Sequence, residues 1–119
     1  MKGSKRRPEQ VAETIRQLVA EALIGELRDP RIGFVTVTDV QVTRDLSVAT
    51  IRVSVMGDDT VRADALAGLE SSAGFLRSRV SKVLSTRVVP ELRFELDRGL
   101  QHAARIEQIL AELREEKGD

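Results

Sequence analysis

Along the first part of the chain, Val11, Ile15, Leu18, Val19, Ala22 and Leu23 recur at intervals of three and four, which predicts an amphipathic helix over residues 9–28. Pro8 suits its first position, where a missing N–H costs nothing. Asp29-Pro30 stops this helix, because the residue before a proline is pushed out of the α region, and Gly33 opens the next element. The period then changes to two. Val and Thr crowd residues 34–42, and after Thr43-Arg44-Asp45 a second run alternates Ala49, Ile51, Val53 and Val55 with Thr50, Arg52 and Ser54. Such alternation predicts an antiparallel strand pair with one covered face. Gly57-Asp58-Asp59-Thr60 ends the pair and supplies helix N-caps, whose acids suit the positive end of the helix dipole. Val61, Ala65 and Leu69 mark the next helix face. Its period breaks at Ser71-Ser72-Ala73-Gly74, which predicts a kink at Ser72, Ala73 and Gly74. Leu76, Val80, Val83 and Leu84 resume as the inward face of a further helix. Leu92, Phe94 and Leu96 then alternate with Arg93, Glu95 and Asp97 as a third strand, entered after Pro90, which cannot donate to a ladder. Phe34 and Phe94 fit into strands as core residues, and Ile106, Ile109, Leu110 and Leu113 predict a last helix before a charged end.

The order α, β, β, α, kink, α, β, with a C-terminal helical segment, predicts an α+β fold in which helices cover one face of a three-stranded sheet. It divides into a basic arm at 1–8, a domain at 9–101 and the helical segment at 102–119. A chain of 119 residues with 41% hydrophobic side chains can bury a core as one domain without staples. The lack of cysteine excludes a disulfide framework and a thiolate zinc site. The basic start has no apolar h-region behind it, and no stretch approaches the roughly 18 apolar residues of a membrane span. A soluble, cytosolic protein with no membrane partner is expected.

Nineteen basic and nineteen acidic side chains give zero net charge, which by itself argues against a nucleic-acid partner. The local distribution argues the other way. Lys2, Lys5, Arg6 and Arg7 precede any acid, and from Ser71 to Pro90 Arg77, Arg79, Lys82 and Arg87 stand with no Asp or Glu between them. With Leu76, Val80, Val83 and Leu84 inward, a 3.6-residue period gathers Arg77, Ser78, Ser81, Lys82 and Ser85 on the outer side. Small hydroxyls between cations let a phosphate backbone approach and hydrogen-bond. Gly74 either clears space for an anion at the helix N-terminus or is present for tight helix packing.

Candidate chemistry of other kinds is sparse. His102 is the only histidine and reads as a surface or capping residue, there is no phosphate-loop or nucleophile-elbow motif, and Asp58-Asp59 reads as a helix cap rather than a metal site. No catalytic residue, metal or cofactor is expected. Three phenylalanines with no Tyr or Trp give poor support for a base-stacking platform.

Four motifs in order carry a family resemblance: Arg28-Asp29-Pro30-Arg31-Ile32-Gly33, Thr43-Arg44-Asp45-Leu46-Ser47, Ser72-Ala73-Gly74-Phe75-Leu76-Arg77 and Val89-Pro90-Glu91-Leu92-Arg93-Phe94. From about Arg7 to about Ile109 the chain resembles the ribosome-binding factor A family. The resemblance implies a type II KH-like fold in which an A-x-G kink replaces the usual glycine loop; Gly74 matches the glycine and Ser72 stands at the alanine position. Asp97-Arg98-Gly99-Leu100 departs from the family's D-x-S-L, leaving no serine cap at Gly99. It further implies a non-catalytic assembly factor, a monomer, that binds the free small ribosomal subunit and its 16S-type ribosomal RNA. Such factors promote late maturation and 5′-end processing, matter most in the cold and leave before translation, with an assembly GTPase as a candidate second partner. On this reading Arg77, Lys82 and Arg87 contact phosphates, Gly74 and Ser81 admit the RNA backbone, and Arg79 lies at the edge of the face. Arg7, Arg31 and Arg44 are secondary contacts, unless Arg31 and Arg44 serve to anchor their turns through Asp29 and Asp45. The competing readings are a protein-interaction module and an RNA-binding protein not dedicated to the ribosome.

Overall fold

The computed structural model describes residues 7–84 and 88–117. The basic arm before Arg7, Ser85 and Arg87, and the side chain of His102, lie outside the described residues. The elements run α1 (Pro8–Gly25), β1 (Val35–Val42), β2 (Val48–Val55), α2 (Asp59–Ser71), α3 (Ala73–Leu84), β3 (Glu91–Leu96) and α4 (Gly99–Lys117). The sheet order is β1-β2-β3, with β1 antiparallel to β2 and β2 parallel to β3, so α2 and α3 form the crossover that a parallel pair requires. The α+β order and the single covered sheet face agree with the pattern read from the sequence.

The core forms where the two periods meet. Val11, Ile15, Val19 and Ala22 of α1, Ala65 and Leu69 of α2, and Leu76, Val80 and Leu84 of α3 pack on Ala49, Ile51, Val53 and Val55 of β2 and on Leu92 and Phe94 of β3. Each large side chain buried there contributes about 1.5–3 kcal/mol relative to exposure. In β1 the partly buried valines fall at 35, 37, 40 and 42, a spacing that strict alternation cannot hold on one face. A bulge between Val37 and Asp39 resets the parity, and the Thr38 hydroxyl donates to the Arg52 carbonyl at 3.3 Å. On the outer sheet face Arg52 bridges Asp39 at 3.3 Å and Glu95 at 3.5 Å.

Four expectations are corrected. The first helix ends at Gly25 rather than 28, because Asp29 is needed outside it: its carbonyl accepts from Ile32 N–H at 3.0 Å. Phe34 precedes β1 and is 83% exposed, so only Phe94 of the strand phenylalanines is core. Val83 is 52% exposed, since Val80 and Leu84 already fill the α3 seam. Val61 is also outside the core. It sits over Gly57, whose φ of +138° leaves room there for hydrogen alone, since a Cβ at Gly57 would lie 2.6 Å from Val61 Cγ1. The N-cap at Asp58 forms as expected, its carboxylate accepting from Val61 N–H at 2.9 Å.

Candidate nucleic-acid interface

The site is built at the junction of α2 and α3. Ser72 ends α2 with φ −89° and ψ −3°, and its hydroxyl turns back to donate to the Gly68 carbonyl at 3.1 Å. That competition for a helix carbonyl loosens the helix at a residue with weak helix propensity. The first hydrogen bond of the new helix runs from Leu76 N–H to the Ser72 carbonyl at 3.0 Å, so the amides of Ala73, Gly74 and Phe75 are the free N-terminal donors of α3. Beside them lies a shallow groove of about 350 Å³ lined by Gly74, Arg77, Ser78, Ser81 and Val89.

Gly74 lies in open space: a Cβ there would meet nothing within 4 Å. Tight packing is therefore not why a glycine stands at this position. The packing glycine is Gly68, which the sequence did not single out. A Cβ there would lie 2.8 Å from Ile32 Cγ1 and 3.3 Å from the Asp29 carboxylate, so the 29–33 turn can seat on α2 only over hydrogen. A buried small residue one turn before a helix break is the signal that could have found it.

That seat carries Arg31 to the junction. Its guanidinium grips Asp29 through Nε at 3.0 Å and Nη2 at 2.6 Å, its own amide donates to Asp29 Oδ1 at 2.9 Å, and Nη2 reaches Ser71 Oγ at 3.2 Å. The side-chain and then the backbone donation from Arg31 hold the Asp29 pKa down at about 2. Arg31 thus anchors its turn and also stands beside the α2–α3 break.

The other cations divide by what they touch. Arg77 lines the groove while its Nε and Nη2 donate to the carbonyls of Pro90 at 3.2 Å and Val89 at 2.9 Å, tying α3 to the entrance of β3. A guanidinium has five N–H donors, so this tie leaves others available. Arg79 lies on the opposite flank of the helix, paired with Glu26 and with its guanidinium 5.2 Å from the centre of the Phe75 ring. Its position binds α3 to the end of α1. Lys82 is exposed one turn beyond Ser78 and has no ion pair or hydrogen bond among the described residues.

Arg44 has no such partner either. Its turn is closed by Asp45, which accepts from Ser47 Oγ at 2.7 Å, Thr43 Oγ1 at 2.8 Å and Ser47 N–H at 3.1 Å. These donors, the Ser47 hydroxyl first, lower the Asp45 pKa. The expected anchoring of Arg44 through Asp45 is therefore absent. Glu91 N–H donates to the Ser47 carbonyl at 2.9 Å, which sets the Arg44 turn beside the 88–90 segment whose carbonyls hold Arg77. Arg7 is the N-cap residue of α1, its amide bonded to Gln10 Oε1 at 3.3 Å and its side chain exposed. At the far end Asp97 Oδ1 accepts from Gly99 N–H at 2.9 Å, satisfying the first amide of α4.

Among the described residues the structure thus brings Gly74, Arg77 and Ser81 into one groove, with Lys82 on the same helix and Arg31 at the junction, and sets the Arg44 turn beside the groove's Val89 border. The α3 helix itself carries three cations and no acid.

Comparison with known proteins bears on the family and the fold. The family model described as ribosome-binding factor A matches residues 7–110. A ribosome-binding factor A from Rhodopirellula baltica is 47% identical over 114 residues, covering 96% of this chain and 83% of that protein. One from Desulforamulus reducens is 50% identical over 107 residues, covering 90% and 89%. The solution structure of a Thermotoga maritima protein described as a putative ribosome-binding factor A aligns with a TM-score of 0.69 at 33% identity, covering 83% of this chain and 93% of that one. A Thermus thermophilus ribosome-binding factor A homology model, fitted into a map of a complex with the 30S particle, aligns with a TM-score of 0.59 at 26% identity, covering 72% and 90%. With a family model matched over nearly its whole length and relatives near half identity, this chain belongs to the ribosome-binding factor A family.

Proposed function

We propose that the protein is a non-catalytic assembly factor that docks the α2–α3 junction on folded ribosomal RNA of the small subunit. The observation that carries this reading is Gly74: it faces open space at the free N-terminal amides of an acid-free cationic helix, in a groove bordered by Arg77, Ser78 and Ser81. Such a surface offers backbone donors, hydroxyls and fixed charge to phosphates. Lys82 and Arg44 add charge that has no partner among the described residues, and Arg31 borders the junction. Binding acts by favouring one RNA conformation over others, which requires differential affinity and no covalent step. The complex with the 30S particle described for the Thermus thermophilus protein supports the choice of partner. Family membership extends the reading to late maturation of the small-subunit RNA, including its 5′ end, in the cytoplasm.

The test is equilibrium binding of Gly74→Ala and Lys82→Ala proteins to purified small ribosomal subunits. The added methyl touches nothing in the fold, so Gly74→Ala should keep or raise stability while weakening binding about tenfold, equivalent to about 1.4 kcal/mol. Wild-type affinity in both variants would overturn the docking face.

A further inference from the structure

A second surface lies between α1 and β1. In the sheet order β1-β2-β3 the outer side of β1 has no strand beside it. Met56 N–H donates to the Phe34 carbonyl at 3.3 Å, and Val35 pairs with Val55 in the register that follows. Antiparallel alternation then directs the backbone groups of Phe34 and Thr36 toward β2 and those of Val35 and Val37 outward. Those outward N–H and C=O groups make no hydrogen bond among the described residues.

Open edges are normally blunted by charge, proline or a bulge. In the later half of β1 two of these devices are present, the bulge at Thr38 and the charge of Asp39. Residues 33–37 have neither. A groove of about 630 Å³ runs beside them instead, with Ala20, Leu23 and Ile24 of α1 forming its other wall. Phe34 at 83% and Ile24 at 88% exposure stand at this groove, the most exposed large apolar side chains among the described residues. Arg16 is the only charged residue lining it, and it is already held by Glu13.

We infer that the Gly33–Val37 edge receives an extended, apolar segment of a protein neighbour on the small subunit as an added strand. The unpaired backbone ladder selects a polypeptide, since strand addition is what satisfies it, and the helix wall with Ile24 and Phe34 receives alternate side chains. RNA is disfavoured because the groove offers no unpaired cation to a phosphate. The choice of particle rests on the function proposed above, whereas the edge and groove do not.

The test places a photoreactive group on the full-length chain, as Phe34→p-benzoylphenylalanine or, separately, Lys82→p-benzoylphenylalanine, and irradiates each with purified small subunits. The expected adduct at position 34 is to a ribosomal protein, sensitive to protease and resistant to nuclease, and the expected adduct at 82 is to RNA. Amide exchange at Val35 and Val37 should slow at least about tenfold in the complex. A nuclease-sensitive adduct at 34, a dimer of this chain, or no adduct with unchanged exchange would each overturn the inference. In those cases an RNA adduct at 82 leaves the docking proposal standing, whereas failure of both proteins to bind subunits defeats that proposal instead.

Discussion

At the residue scale, two glycines six positions apart do opposite work. Gly68 lets the 29–33 turn close on α2, while Gly74 faces open space. Gly68→Ala should therefore destabilise the fold by about 1–3 kcal/mol in denaturant unfolding, as an overpacked contact does. Gly74→Ala should stabilise it by up to about 1 kcal/mol through helix propensity. Equal effects of the two would refute the distinction. Asp29 adds a pH dependence. Its carboxyl titrates at about 2 in the fold, against about 3.9 unfolded. A depressed folded pKa gives stabilisation that is complete above about pH 4 and is lost as pH falls toward 2. Asp45, Glu91 and Asp97 are also lowered, so Asp29→Asn should reduce the slope of stability in that window without abolishing it. Thermal unfolding at several acidic pH values measures this, and an unchanged slope would count against the Arg31 grip. The role of Gly68 was not readable beforehand, and for Gly74 open space and tight packing stood as alternatives, because the sequence shows that a side chain is missing and not what would have met it.

At the element scale, the helix and strand periods marked the faces that pack, and the exceptions lie at element ends. Phe34 and Val61 matched a pattern but sit where an element begins, so the covering layer does not reach them. The β1 bulge is the complementary case, since the valines at 37 and 40 required an irregularity that only the register reveals. The α4 helix shows a third outcome. Ile106, Ile109, Leu110 and Leu113 form the predicted stripe, yet each is more than two-fifths exposed and none joins the core. Truncation after Arg105 should then change unfolding free energy by no more than about 0.5 kcal/mol. Ile15→Ala, by contrast, should cost about 2–5 kcal/mol, because Ile15 is fully buried against the sheet. A large loss on truncation would show that α4 packs on the domain.

At the scale of the whole molecule, zero net charge conceals an acid-free cationic helix whose neighbouring turns carry Arg31 and Arg44. If Lys82 meets a phosphate, Lys82→Ala should lower the slope of log affinity against log salt by about one, while leaving the unfolding midpoint unchanged. Arg77→Ala should differ by lowering stability as well, since the guanidinium also holds the 88–90 carbonyls. Binding isotherms over a salt series alongside denaturation curves separate the two. The sequence by itself determined the element order, the covered sheet face, the break at Ser72 and the cationic stripe. All of these follow from periodicity and from residue types at short range. Tertiary structure alone decided which cations lack a partner among the described residues, why Gly68 and Gly74 are glycines, and that Arg31 reaches Ser71. Those properties depend on residues as far apart in the chain as Arg79 and Glu26, and a local pattern carries no record of which distant atoms it will meet.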